Sequence, residues 1–185
     1  MQTALLLIDV QQSFVHRPYW KNELVAPFLQ HTHELLQGCA ARGVPVLRIF
    51  HSDGPREATN PFAPESGLIR PLHGLMNFDA AATFEKHRHS ALVGTGLMVW
   101  LHQNGIRRLI VAGMRTEQCC ETTTRHASDE GFEVDFVLDA THTFDMHTPS
   151  GALLRAELIK ERTATVLAGR FATLVSAAEA VQRAR

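Results

Sequence analysis

Three side chains with complementary chemistry stand at the ends of strand-like apolar runs in distant parts of the chain. Asp9 directly follows one such run, Lys86 ends another, and Cys119 opens a helical pattern that follows a third. Ligands of parallel α/β sheets bind beyond the carboxyl ends of the strands, so these residues are expected to meet at one sheet edge. The sequence therefore predicts a crevice that holds a carboxylate, an ammonium and a thiol.

This trio contains the groups that cysteine-based hydrolysis needs. A free cysteine has a pKa of about 8.5 and is mostly protonated at neutral pH, whereas the thiolate is the nucleophile. If Thr116 caps the helix, Cys119 lies in the first turn, where the helix dipole and Lys86 favour the thiolate. Asp9 would take the thiol proton as a general base and return it to a leaving amine. The backbone amides of Arg115 and Cys119 would form the oxyanion hole.

Each of these side chains also has an ordinary structural interpretation. Cysteine is among the most frequently buried residue types, so Cys119 alone is typical of core packing. Asp9 alone would cap the following turn, and Lys86 alone would be a surface charge. Only the joint placement of the three residues at predicted strand ends favours a catalytic role.

The elements that position these residues alternate along the whole chain. Short apolar runs predict strands at residues 4–8, 44–50, 106–112 and 134–138, with weaker candidates at 83–86 and 163–167. Apolar residues at helical spacing predict helices over residues 25–40, around 97–101, over 116–131, from 150 toward 162 and from 171 to the C-terminus. This alternation, with nearly continuous hydrophobicity in the strands, predicts an α/β fold with a doubly wound parallel sheet.

One segment between these elements differs from the rest. Residues 52–83 contain four of the eight prolines and have no clear hydrophobic period. Long irregular loops in compact domains are usually functional, so we expect this segment to lie over the site.

Size and composition limit the class of protein. With 185 residues, 45% of them hydrophobic and 20% charged, the chain is expected to form one domain over residues 1–185. The net charge of −1 offers no basic surface for nucleic acid. Residues 4–8 are far shorter than the ~20 residues of a membrane span, and Asp9 interrupts any signal-peptide pattern. We therefore expect a cytoplasmic protein with a small-molecule substrate and no nucleic-acid or membrane partner.

The cysteine count excludes two further classes of protein. Cys39, Cys119 and Cys120 are odd in number and have no C-x-x-C spacing, which excludes a disulfide framework and a cysteine-rich zinc module. Adjacent Cys119 and Cys120 would form a disulfide only with strain, and reduced thiols fit the cytosol.

The residues around the trio form three motifs that are similar to those of a known superfamily. Residues 6–14 read Leu-Leu-Ile-Asp-Val-Gln-Gln-Ser-Phe, residues 86–91 read Lys-His-Arg-His-Ser-Ala, and residues 113–119 read Gly-Met-Arg-Thr-Glu-Gln-Cys. In this order they resemble the isochorismatase-like cysteine hydrolases, which include nicotinamidases and N-carbamoylsarcosine amidases. Leu92 stands where phenylalanine is common, and Glu117 where aspartate is commoner.

The resemblance implies a fold and a catalytic apparatus. It implies a three-layer α/β/α fold, a six-stranded mostly parallel sheet, and a triad of Asp9, Lys86 and Cys119. It also implies a cis peptide at Met114–Arg115, which would aim the Arg115 amide into the oxyanion hole. Members of this superfamily commonly form oligomers, which implies a homodimer or homotetramer.

The resemblance also implies an activity. Relatives that hydrolyse isochorismate, a vinyl ether, work without the cysteine nucleophile. Cys119 therefore favours hydrolysis of a C–N bond in a small amide or ureide through a covalent thioester. The alternatives are an isochorismatase-type ether or ester hydrolase, and a non-catalytic thiol sensor or scaffold with the same fold. Cys120 occupies a position usually filled by valine, which is typical of core packing.

Several further residues are candidates for the substrate pocket. Phe14 matches an aromatic residue that lines pockets in the superfamily, although it is equally typical of a core phenylalanine. Weaker candidates for substrate binding are Trp20, Phe62 and Gln118. Arg115 or Arg17 would bind a substrate carboxylate, unless each is a surface or ion-paired arginine. His87 and His89, next to Lys86, would reach the site if they do not stay at the surface.

The sequence predicts no metal and no other cofactor. Nicotinamidases of this superfamily bind a divalent ion through an Asp-x-His pair after the second strand, with further histidines. Here the corresponding residues are His51 and Asp53 in reversed order, and His73 is the only histidine in the following loop. His31 and His33 are two apart on a predicted helix, so they face away from each other.

Overall fold

The computed structural model describes residues 2–184, which form three layers with a sheet in the middle. Within these residues six strands build the sheet: β1 (Gln2–Ile8), β2 (Val46–His51), β3 (Ala82–Lys86), β4 (Ile106–Met114), β5 (Glu133–His142) and β6 (Thr173–Val175). Their order is β3-β2-β1-β4-β5-β6, and every neighbouring pair is parallel. This confirms the predicted doubly wound α/β fold.

Helices cover both faces of the sheet. Residues 2–184 contain five α-helices: α1 (Val25–Ala41), α2 (Leu97–Gln103), α3 (Glu121–Asp129), α4 (Ala156–Leu167) and α5 (Ala177–Arg183). In β1, Leu5 and Leu7 pack with the core under α1 and α5, while Leu6 and Ile8 pack with the core under α2, α3 and α4. Successive side chains of a strand point to opposite faces, so a central strand covered on both sides must be apolar throughout.

Two sequence-based element predictions near the C-terminus are wrong. Residues 163–167 are not a strand but the last turns of α4, whose buried residues Ala156, Ile159, Thr163 and Leu167 recur at helical spacing. The sixth strand is β6, in the segment where a helix was predicted from residue 171. That helix begins only at Ala177, after a capping box formed by Ser176 and Glu179.

The crevice of the sheet lies between β1 and β4, where the strand order reverses. Ile8, the last residue of β1, is paired with Ile49 of β2 and Gly113 of β4. Gly113 has a φ of +124°, and a Cβ atom at this position would overlap the carbonyl oxygen of Ile8. Only glycine therefore lets β4 run this close to β1 where both strands end.

The segment between β2 and β3 is mostly irregular and contains a short 3₁₀ turn at Pro64–Ser66. The second half of this segment is hydrogen-bonded to the chain that follows β1. The backbone N–H of Gln12 donates to the carbonyl of Arg70, and the N–H of Leu72 donates to the carbonyl of Val10. β3 begins at Ala82, so the loop ends slightly before the predicted limit of residue 83. None of the helices within residues 2–184 has both the length and the hydrophobicity to cross a membrane.

Candidate active site

The structure brings Asp9, Lys86 and Cys119 together at the carboxyl edge of the sheet. Lys86 Nζ lies 2.8 Å from Asp9 Oδ2 and 3.2 Å from Cys119 Sγ. Asp9 and Lys86 are completely buried, and Cys119 is 5% exposed. The expected convergence of a carboxylate, an ammonium and a thiol is therefore present, with the ammonium in contact with both of the other groups.

The buried ion pair sets the charges of the site. Asp9 follows β1 in a left-handed backbone conformation (φ 53°), which aspartate tolerates better than most residues. Burial raises the pKa of Asp9 above its ordinary value, although the adjacent Lys86 opposes this effect. Burial alone would lower the pKa of Lys86, but the neighbouring Asp9 and Cys119 raise it overall. The ammonium therefore stays charged, and the carboxylate is more basic than an ordinary aspartate.

The Cys119 thiol differs from the sequence-based expectation. Burial raises the pKa of Cys119 to about 12, and the charge of Asp9 raises it further against the opposing effect of Lys86. Lys86 favours the thiolate as the sequence predicted, but burial and the charge of Asp9 outweigh its effect in the resting state. A buried sulfur beside a carboxylate keeps its proton.

A π-helical turn positions the sulfur. The turn spans Thr116–Cys120 and leads directly into α3, with Arg115 rather than Thr116 in the N-cap position. Thr116 instead donates its hydroxyl to Thr141, so its predicted capping role is wrong. The carbonyl of Arg115 accepts from the amides of Gln118 and Cys120, each at 3.2 Å. The backbone amide of Cys119 lies between these two donors in the chain. The Met114–Arg115 peptide, which precedes the turn, is cis.

A cavity of about 360 Å³ opens over Cys119 and is called the Cys119 cavity below. The lining of this cavity includes three residues that were predicted from the sequence to bind substrate: Phe14, Phe62 and Gln118. The rings of Phe14 and Phe62 meet edge to face, with centroids 5.0 Å apart. Phe62 belongs to the segment between β2 and β3, so that loop forms part of the wall.

Trp20, the fourth residue predicted for substrate binding, does not line the Cys119 cavity. Its ring packs against Phe144 and His142, and its indole N–H donates to Asn22 at 2.7 Å. The neighbouring Tyr19 lines the Cys119 cavity instead. The sequence prediction identified the aromatic segment but was wrong about its cavity-facing member, because an irregular turn has no period that assigns faces.

The two candidate arginines have different surroundings. Arg115 pairs with Glu117 at 2.9 Å, and its guanidinium lies 4.9 Å from the ring centroid of Tyr19. Its charge is therefore already matched. Arg17 also lines the Cys119 cavity and lies 5.7 Å from the ring centroid of Phe62, with no ion pair among residues 2–184. Of the two, Arg17 is the cation available to a substrate.

Of the two candidate histidines, only His89 lines the Cys119 cavity. Its Nδ1 lies 3.9 Å from Cys119 Sγ. His87 instead contacts the hydroxyl of Ser52 at 2.9 Å and lines a neighbouring cavity. Cys120 is completely buried in the core beside α3.

One residue of the buried cluster, His51, was considered from the sequence only as a metal ligand. His51 Nδ1 lies 3.1 Å from Lys86 Nζ, and His51 lines the Cys119 cavity. The available signal was the sheet register, since His51 ends β2 directly beside Lys86 of β3. Strand ends identify such a residue only when the pairing of neighbouring strands is known. Within residues 2–184, no three His, Cys, Asp or Glu side chains are grouped closely enough to hold a metal ion.

Comparisons with known proteins agree with this architecture. The isochorismatase domain model matches residues 3–177. Nicotinamidase 3 of Arabidopsis thaliana is 30% identical over 82% of this chain and 78% of its own. The isochorismatase family protein YrdC of Bacillus subtilis is 27% identical over 94% and 91%. An isochorismatase from Pseudomonas putida superposes with a TM-score of 0.85 at 25% identity over 96% of this chain and 89% of its own. The chain belongs to the isochorismatase family of hydrolases.

Proposed function

We propose that the protein is a cysteine amidohydrolase that cleaves the C–N bond of a small amide or ureide through a thioester on Cys119. The observation that carries this proposal is the buried Lys86, paired with Asp9 at 2.8 Å and with the Cys119 sulfur at 3.2 Å. Burying an ion pair is costly and brings little net stability. An ion pair that contacts a thiol at the edge of a cavity therefore favours a chemical role.

In the first half-reaction, Asp9 removes the proton from Cys119 as the sulfur attacks the substrate carbonyl. The raised pKa of Asp9 makes this carboxylate a stronger base, and the Lys86 ammonium stabilises the sulfur as its negative charge forms. The carbonyl electron pair moves to the oxygen, which the amides of Arg115 and Cys119 would hold. The C–N bond then breaks, and Asp9 gives its proton to the departing nitrogen.

In the second half-reaction, water hydrolyses the thioester. Asp9 takes a proton from the attacking water, and the tetrahedral intermediate collapses with loss of the Cys119 sulfur, which takes the proton back from Asp9. The products are an amine or ammonia and a carboxylic or carbamic acid. Lys86 keeps its charge throughout, because both neighbours raise its pKa.

The alternatives fit these groups less well. A vinyl ether has no carbonyl for the sulfur of Cys119 to attack. An ester needs little help for its leaving group, whereas a departing amine needs the acid that Asp9 becomes. A redox-sensing cysteine reacts as a thiolate, and the pKa of Cys119, raised to about 12, disfavours that role. The nicotinamidase among the relatives supports amide hydrolysis.

The test is release of ammonia or amine across a panel of amides, ureides and matched esters. Cys119→Ala is expected to lower kcat for the best amide by at least about 1000-fold, because the covalent route is lost. Cys120→Val, one residue away, is the matched control and is expected to keep activity. Full activity of Cys119→Ala, or a parent enzyme that hydrolyses only ethers or esters, would overturn the proposal.

A further inference from the structure

We propose that His51 is a substrate-binding residue that donates a hydrogen bond from Nε2 to an acceptor atom of the substrate, held in this tautomer by Lys86. The inference rests on the proposed amidohydrolase function and narrows its substrate class. The preferred substrates would be amides or ureides that carry a ring nitrogen or an oxygen acceptor near the scissile carbonyl.

The tautomer follows from the donor inventory of Lys86. An ammonium has three N–H donors and no acceptor. Lys86 Nζ forms an ion pair with Asp9 Oδ2 at 2.8 Å and lies within hydrogen-bond distance of Cys119 Sγ at 3.2 Å and His51 Nδ1 at 3.1 Å. His51 Nδ1 must therefore accept, so a neutral His51 carries its proton on Nε2.

Neighbouring residues hold both the backbone and the ring of His51. The side-chain amide of Gln11 accepts from the His51 backbone N–H at 2.7 Å and donates to the His51 carbonyl at 2.9 Å. The ring of Phe62 meets the imidazole with centroids 6.0 Å apart, and that of His89 stacks at 6.4 Å. A donor held this firmly is preorganised, so little entropy is lost when a ligand binds it.

The Nε2 atom is the free end of this arrangement. It has no hydrogen-bond partner among residues 2–184. It is also absent from their fully buried polar atoms that lack a partner, so it is accessible to a ligand. His51 is 8% exposed and lines the Cys119 cavity. His51 therefore offers an N–H donor in a residue that lines the same cavity as Cys119.

The charges around His51 keep it neutral. Burial lowers its pKa to about 4, and Lys86 acts in the same direction, while Asp53 opposes them. His87 and His89 are the other titratable groups that face it. At neutral pH the ring is therefore a neutral donor, suited to an acceptor atom that needs no opposite charge.

Two substitutions separate the two nitrogens of the ring. In His51→Asn the amide oxygen can replace Nδ1 as the acceptor for Lys86, but nothing reaches the position of Nε2. In His51→Gln the longer amide can present an N–H near the position of Nε2, while the Nδ1 acceptor is lost. A role limited to supporting Lys86 would favour the Asn variant, and the proposed role favours the Gln variant.

Binding is measured by calorimetry in a Cys119→Ala background, where no turnover or thioester is needed. The probes are two pairs of neutral molecules, nicotinamide with benzamide and (2-methoxyethyl)urea with butylurea, and the members of each pair differ by one acceptor atom. In at least one pair the acceptor-bearing member is expected to bind about 2- to 10-fold more tightly. Adding His51→Asn should abolish this preference, and adding His51→Gln should keep most of it.

A second measurement does not depend on any ligand or variant. The ¹⁵N spectrum of the histidine rings in the parent protein at neutral pH is expected to give His51 an unprotonated Nδ1 and a protonated Nε2. The opposite tautomer, no acceptor preference in either pair, or a preference that survives His51→Asn would overturn the inference. Because Cys119→Ala is inactive by design, these outcomes are distinct from failure of the proposed amidohydrolase function.

Discussion

At the scale of single residues, Asp9 has two opposing effects on Cys119. It is the proposed base that removes the thiol proton, and its negative charge also raises the pKa of the thiol in the resting protein. A group that holds the proton on the sulfur until a substrate arrives protects the cysteine from unproductive reactions. This combination leads to a test that separates reactivity from catalysis.

Asp9→Asn is expected to abolish amide hydrolysis and to accelerate alkylation of Cys119 at neutral pH. The amide removes the base, but it also removes the charge that disfavours the thiolate, while Lys86 continues to favour it. The rate of iodoacetamide labelling of the Cys119 peptide, followed by mass spectrometry from pH 6 to 10, measures the change.

The matched control for this experiment is Asp53→Asn, which removes a carboxylate that lines the Cys119 cavity. Asp53 is not one of the groups that raise the pKa of Cys119, so labelling should change by less than about 2-fold. Slower labelling in Asp9→Asn than in the parent would contradict the assigned effect of Asp9.

The sequence was sufficient to bring Asp9, Lys86 and Cys119 together, because the strand-end rule depends only on topology. It was not sufficient for the direction of the Cys119 pKa. That direction depends on burial to 5% exposure and on a close carboxylate. The contact of His51 with Lys86 was not predicted for a related reason, since it follows from the register between β2 and β3.

At the scale of elements, Gly113 determines how closely β4 approaches β1. Gly113→Ala is expected to prevent stable folding, because the new Cβ would overlap the backbone oxygen of Ile8 in the adjacent strand. Gly131→Ala is the matched control, with a φ of +87° but no neighbouring atom within 4 Å. It should cost only the backbone strain, about 1 kcal/mol.

Soluble yield and urea unfolding of the two variants test this difference. If Gly113→Ala folded as well as Gly131→Ala, the close approach of β1 and β4 would not have the importance assigned to it.

The packing of α1 on α5 depends on Gly38. A Cβ atom on Gly38 would overlap both methyl groups of Val181, and a β-branched side chain has little freedom to move away. Gly38→Ala is therefore expected to lower the free energy of unfolding by about 1–3 kcal/mol, despite the better helix propensity of alanine.

A double-mutant cycle with Val181→Ala tests this contact. In the Val181→Ala background the space is open, so Gly38→Ala should become neutral or stabilising by up to about 1 kcal/mol. Urea denaturation gives the four free energies. Additive effects of the two substitutions would show that the helices do not meet at this point.

The two elements near the C-terminus that were predicted wrongly differ from the prediction for physical reasons. Residues 163–167 contain threonine and valine, which favour strands, but the buried positions of α4 extend the helical spacing through Thr163 to Leu167. β6 has only three residues, too few for a periodic signal, and its pairing with β5 defines it as a strand.

At the scale of the whole molecule, buried histidines link stability to pH. Burial lowers the pKa of both His51 and His142 from 6.5 to about 4. The unfolded chain therefore binds protons more readily below pH 6.5 than the folded chain does. The free energy of unfolding is therefore highest above pH 6.5 and decreases progressively as the pH falls toward 4.

His142→Phe is expected to stabilise the protein and to reduce its sensitivity to acid. His142 stacks on Phe28 with ring centroids 5.2 Å apart, and its Nε2 is a buried polar atom without a hydrogen-bond partner among residues 2–184. Removing that atom should raise the free energy of unfolding at pH 7 by about 1 kcal/mol, with a larger gain at pH 5.

Chemical denaturation at pH 7 and pH 5 measures both effects. Substitution of the exposed His73 by glutamine serves as the control and should leave the difference between the two pH values as in the parent. A His142→Phe variant that lost as much stability on acidification as the parent would contradict the assignment of His142.

The measurement that tests the central claim most directly is rapid acid quenching during turnover of the best amide, followed by mass spectrometry of the cysteine-containing peptides. We expect an acyl group on the Cys119 sulfur that forms within one turnover and is removed by hydroxylamine. Turnover with an unmodified Cys119 throughout, or with the acyl group on another residue, would contradict it.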